Sequence, residues 1–120
     1  MNDKLEKAVD AIVNKTESGK IEWKRMDDFK SQNPFYKKYI SDNYMAFDEV
    51  NNYMAPYNEG YIFFTNQTDE GYREVAIQPK ENSDITVLST GRSEKLKTLE
   101  EVIKSELDDP DDFINSLIEE

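Results

Sequence analysis

The stretch YIFFTNQTDEGYREVAIQPKENSDITVLST, residues 61–90, decides the fold. Its opening, Tyr61 to Asn66, is rich in β-forming side chains. Thr68 to Gly71 reads as a turn. Tyr72 to Gln78 then alternates, with Arg73, Val75 and Ile77 on one face. Pro79 to Ser83 reads as a second turn. Asp84 to Thr90 alternates again, with Ile85, Val87 and Ser89 on one side. Three consecutive strands joined by two short turns predict an antiparallel meander.

Towards the C-terminus, Gly91 ends the sheet, and Ser93 or Thr98 is placed to cap a helix. Thr98 to Glu101 itself has the form of a capping box. Leu96, Leu99, Val102, Ile103 and Leu107 mark the buried face of that helix. Asp109 before Pro110 repeats a helix-start signal, and Phe113, Ile114, Leu117 and Ile118 form a last apolar stripe that would anchor a final helix to the body.

Towards the N-terminus the reading is harder. Residues 44–58 give no clean period; Asn51 and Asn52 suggest a turn, and Pro56 argues against a central strand. Asn58 to Gly60 is a turn signal. Asn33 before Pro34, with Tyr36, Tyr39 and Ile40 at helical spacing, predicts a short helix at 34–42. Residues 21–26 alternate, with Ile21 and Trp23 on one side, and predict an early strand. Leu5, Ala8, Val9, Ile12 and Val13 line one face of a helix at 4–18, with Asp3 and Glu6 as its capping box and Gly19 as its stop. Helices at both ends and strands between them predict an α+β fold in one domain, 1–120: an antiparallel sheet, the three-stranded meander plus the early strand, with helices on one face. The expected shared core is Leu5, Val9, Ile12, Val13, Trp23, Ile62, Phe64, Val75, Ile77, Val87, Leu99, Val102 and Ile103.

The composition narrows the chemistry. There is no cysteine and no histidine. Disulfides, thiolate metal sites and cysteine nucleophiles are excluded, and so is the side chain most used for proton transfer near neutral pH. The lack of disulfides favours a reducing, cytoplasmic setting. No apolar h-region opens the chain, so no signal peptide is expected, and no run reaches the length needed to span a bilayer. No Gly-rich phosphate loop occurs. Glu22 and Lys24 match the E-x-K half of a metal-dependent nuclease site, but no carboxylate on an adjoining strand completes it. Asp108, Asp109, Asp111 and Asp112 lack the alternating ligands and glycine turn of a calcium loop; helix capping by Asp109 explains them better. The expectation is a protein without cofactor or metal and without catalysis, a carboxylate-dependent metalloenzyme being the remote alternative.

Charge is the stronger signal. The net charge is -11, and residues from Glu106 onwards hold seven acids and no base. Such a tract repels nucleic acid and anionic membranes and attracts basic protein surfaces. Glu106, Asp108, Asp109, Asp111, Asp112, Glu119 and Glu120 are therefore candidate partner-binding residues; the competing reading is a solubilising face. The second candidate group is aromatic: Tyr44, Tyr53, Tyr57 and Tyr61, with Phe47, either form a contact surface or fill the core under an irregular loop.

The opening LEKAVDAIVNKTESGKIEWKR, residues 5–25, resembles the start of many small proteins carried by phages and mobile elements of Gram-positive bacteria. In those a helix ends at a Lys-Thr step followed by glycine, here Lys15, Thr16 and Gly19, and enters a strand bearing a tryptophan, here Trp23. The resemblance implies a setting in which small acidic proteins block host enzymes, anti-CRISPR proteins and other DNA mimics among them. The resulting expectation is a non-catalytic acidic binding protein that inhibits a nucleic-acid-handling host enzyme, with a basic protein surface as partner. The alternative is a structural or regulatory protein that assembles through its aromatic loop.

Overall fold

The structure is a computed structural model that describes residues 3–25, 34, 35, 38, 50–67, 72–107, 114 and 117–119. It is α+β. Helix α1 (Asp3–Glu17) leads to strands β1 (Lys24–Arg25), β2 (Val50–Tyr57), β3 (Gly60–Gln67), β4 (Tyr72–Gln78) and β5 (Thr86–Gly91), followed by helix α2 (Glu94–Leu107). The strands form one antiparallel sheet in chain order.

Helix α1 stops as its sequence dictates. Gly19 takes φ +76°, its N–H donates to Thr16 O at 3.1 Å, and Lys20 N–H donates to Lys15 O at 2.8 Å. This paired closure satisfies the last carbonyls of the helix and turns the chain back. Ile21 and Trp23 then enter the core while Glu22 and Lys24 stay exposed. The predicted alternation holds, but among the described residues of 21–26 only Lys24 and Arg25 are in strand; Met26 lies outside them. At Trp23 the backbone N–H donates to the Glu106 carboxylate of α2, at 2.8 Å, and not to a neighbouring strand.

Strand β2 overturns two expectations. Asn51 and Asn52 do not turn; they pair with Asn66 and Thr65 of β3. Pro56 lies within the strand. It is tolerated because, among the described residues, β1 pairs with β2 only at Tyr53 and Met54, so Pro56 has β3 on one flank and lies beyond the reach of β1 on the other. The β2–β3 hairpin closes at Asn58 and Glu59, with Asn58 in the left-handed region at φ 51°. Gly60 follows because the backbone of Gln78 and Pro79 passes over it: a Cβ there would stand 1.8 Å from Gln78 O.

One cluster unites α1, the sheet and α2: Val9, Ile12, Ile21, Trp23, Tyr53, Ala55, Ile62, Phe64, Val75, Leu96, Leu99 and Ile103, with Val13, Ile77, Leu88 and Leu107 packed against it. Both helices therefore cover the same sheet face. Leu5 and Val102 are only half-buried, and Val87 is exposed. The reason for the last is a β-bulge. Val75 pairs with Ser89 but Ala76 with Val87, so Leu88 is the extra residue and takes the inward place expected for its neighbour. The other sheet face is not bare. Met54, Phe63, Thr65, Glu74 and Ala76 on it are all buried.

Helix α2 starts one residue after Ser93, whose Oγ accepts from Leu96 N–H at 3.3 Å. Thr98 is thus inside the helix, and its capping-box pattern marks no start. The turn at 68–71 and nearly all of the helix predicted at 34–42 lie outside the described residues; Pro34, Phe35 and Lys38 have helical backbone.

Candidate functional site

The C-terminal end of α1 and the flank of α2 hold between them a cleft of about 850 Å³. Its floor is built first. Trp23 Nε1–H donates to Thr16 Oγ1 at 2.9 Å, and Thr16 Oγ1–H donates to Ile12 O at 2.7 Å, so a buried hydrogen-bond chain ties the segment after Gly19 to the helix before it. The Glu106 carboxylate closes the other side by accepting from Trp23 N–H. The walls carry Glu17 from α1, Glu22 and Lys24 from the connecting segment, and Thr98, Glu101 and Ser105 from α2. The lining therefore holds four acids, Glu106 included, and one base. Glu106 Oε2 is buried and has no hydrogen-bond partner among the described residues. A donor that reached Oε2 by a small turn of the carboxylate would satisfy it, and a cation would lower the mutual repulsion of the acids.

Placed on the structure, the acidic candidates separate. Glu106 is not part of a displayed tract; it is a half-buried acceptor that joins α2 to Trp23. Glu119 is exposed. Asp108, Asp109, Asp111, Asp112 and Glu120 lie outside the described residues. The anchoring expected of the last apolar stripe is not seen where it is described, since Ile114, Leu117 and Ile118 are 46, 61 and 75 % exposed. Phe113 lies outside the described residues.

The aromatic candidates do not form one surface. Tyr53 is 2 % exposed and packs on Phe64, with the Arg25 guanidinium 5.6 Å from its ring centre. Tyr57 lies on the same sheet face as Tyr53 but next to the hairpin turn, 37 % exposed. Tyr61 lies on the opposite face and meets Phe63, ring centres 6.2 Å apart. The pleat that separates them is a consequence of β2, the strand the sequence did not reveal. Tyr44 and Phe47 lie outside the described residues.

Two further polar features were not singled out by sequence. Glu100 of α2 is 5 % exposed and accepts from Asn66 Nδ2 and from Arg73 Nε at 2.9 Å; Lys104 stands 3.6 Å away. On the other sheet face Glu74 is 7 % exposed, and burial pushes its carboxyl above the usual carboxylate range, a hydrogen bond with Thr90 acting the other way. Glu22 and Lys24 both point away from the core, and Asp10 pairs with Lys95 at 3.0 Å. Among the described residues no three carboxylates converge as a metal site, and no helix is long and apolar enough to cross a membrane. Comparison with protein-family models, curated proteins and solved structures returned no match.

Proposed function

We propose that the chain is a non-catalytic binding protein for a basic protein surface, and that the acidic cleft between α1 and α2 receives a lysine or arginine side chain of the partner. The observation that carries this reading is the lining of a cleft of about 850 Å³, to which Glu17, Glu22, Glu101 and Glu106 contribute four acids and Lys24 the one base. The orphan Glu106 Oε2 supports it, because a guanidinium supplies the missing donor. The net charge of -11 would speed encounter with such a surface. In the phage setting implied by the opening segment, the partner would be a nucleic-acid-handling host enzyme whose basic groove is occupied in place of DNA. The burial of Tyr53 and the opposite facing of Tyr57 and Tyr61 weigh against assembly through an aromatic loop.

The test is anisotropy of a fluorescent arginine-rich peptide titrated with the protein at low and high salt. Glu17→Gln, Glu22→Gln and Glu101→Gln together should weaken binding by roughly tenfold or more. The control removes the same charge elsewhere, at the exposed Glu59, Glu81 and Asp84. Equal weakening by both variants would mean that net charge alone attracts the peptide. Co-purification from a Gram-positive host lysate, competed with duplex DNA, then addresses the enzyme partner.

A further inference from the structure

A second depression lies on the other flank of α1, beside the closed end of the β2–β3 hairpin. It has a volume of about 370 Å³ and is lined by Ala8, Ala11, Lys15, Ile21, Tyr57 and Leu88, among others. The volume falls within the range of small-molecule sites, roughly 300–1,000 Å³. Ala8, Ala11 and Lys15 recur at i, i+3 and i+7 on α1, and the short alanines leave the space between helix and hairpin unfilled. Lys15 is the one charged side chain of the lining. No carboxylate pairs with its ammonium among the described residues.

We infer that this pocket is a binding site for a small amphiphilic carboxylate, whose apolar body occupies the space beneath Ala8 and Ala11 and whose carboxylate pairs with Lys15. The charge of the lining selects the class. A cation would find no acid there, and an uncharged apolar molecule would leave the ammonium without a counter-charge as the site lost water. Acids farther than about 8–10 Å from Lys15 oppose this little, because such charges are largely screened at physiological salt. The site is independent of the acidic cleft, which lies at the other flank of the helix and has the opposite charge.

The experiment compares 4-phenylbutyrate with 4-phenylbutylamine, which differ in the sign of the head group, by amide chemical-shift titration of the full chain. The carboxylate should shift the amides of Ala11, Lys15 and Leu88 and bind roughly tenfold tighter than the amine, the worth of one partly exposed charge-assisted contact. Lys15→Glu should reverse that preference, an outcome that lost helix stability would not produce. Ala11→Phe should fill the space and remove binding; Ala8→Leu replaces it if Ala11→Phe fails to give the parent circular dichroism spectrum. Absence of shifts at millimolar ligand, equal affinity for the two head groups, binding unchanged in the filled variant, or shifts confined to Ile114, Leu117 and Ile118 would each overturn the assignment.

Discussion

Among the described residues, the two faces of the sheet bury one glutamate each, and they do so differently. On the face covered by α1 and α2, Glu100 meets Arg73, Asn66 and Lys104. On the other face, Glu74 meets Thr90, and its carboxyl is pushed up by burial. The two residues are almost equally hidden from water. Similar depth of burial thus leaves room for different surroundings, guanidinium and amide donors at Glu100 and a hydroxyl at Glu74. Among the described residues, the helix-covered face holds the apolar cluster together with the charge-assisted hydrogen bonds of Glu100.

The largest expected effect is on that face. Trp23→Ala removes a core ring and the donor to Thr16 and should destabilise the protein by about 3–5 kcal/mol, read from urea unfolding. A loss below about 1 kcal/mol would mean that the segment after Gly19 does not dock as described. Next is Arg73→Met, which keeps the apolar stem and deletes the guanidinium facing Glu100. Removing one partner of a buried pair costs about 3–5 kcal/mol when the other stays charged; with Arg73 partly exposed and Lys104 nearby, about 2–3 kcal/mol is expected. The double variant Arg73→Met with Glu100→Leu should recover much of this. If it does not, the pair is not what holds Glu100.

A smaller effect separates the faces at the β5 bulge. Leu88→Ala should cost about 1–2 kcal/mol and Val87→Ala less than about 0.5 kcal/mol, because Leu88 packs on the core cluster and Val87 is exposed. Equal costs would remove the bulge from the account.

This pair also shows where sequence reading stops. Helix α1 was legible because its apolar period and its glycine stop are local properties. Strands β3, β4 and β5 were legible from β-formers and turn residues. The inward side of β5 was not, since one bulged residue reverses the alternation and no residue type signals it. Strand β2 was hidden because Asn51, Asn52 and Pro56 are poor strand residues; pairing with β3 along its whole length overrides that preference. The candidate cleft was partly legible. Glu106 stood out in the charge count, although its tie to Trp23 did not. Glu17, Glu22 and Glu101 come from three separate segments, and only the packing of α1 against α2 brings them together. The spacing of Thr98, Glu101, Val102 and Ser105 at i, i+3, i+4 and i+7 was the one available hint that they share a face of α2.

The smallest effect, and the sharpest test of the contrast between the faces, is the pH dependence of Glu74. Desolvation raises its folded-state value above the ordinary 4.5, while the unfolded chain titrates near 4.5. Between those two values the folded protein holds a proton that the unfolded chain has released. Stability contributed by this group is thus fully present below about pH 4.5 and is lost as pH rises through the folded value. Gln keeps the shape and a hydrogen-bonding group for Thr90 but never ionises. Glu74→Gln should therefore match the parent near pH 4 and exceed it at about pH 7, with a flatter slope between, in urea midpoints measured across the range. The hydrogen bond with Thr90 offsets part of the burial cost and so limits the gain. If the variant is instead less stable than the parent at about pH 7, the carboxylate on this face is held by a favourable charge-assisted contact, and the two faces treat their buried acids alike.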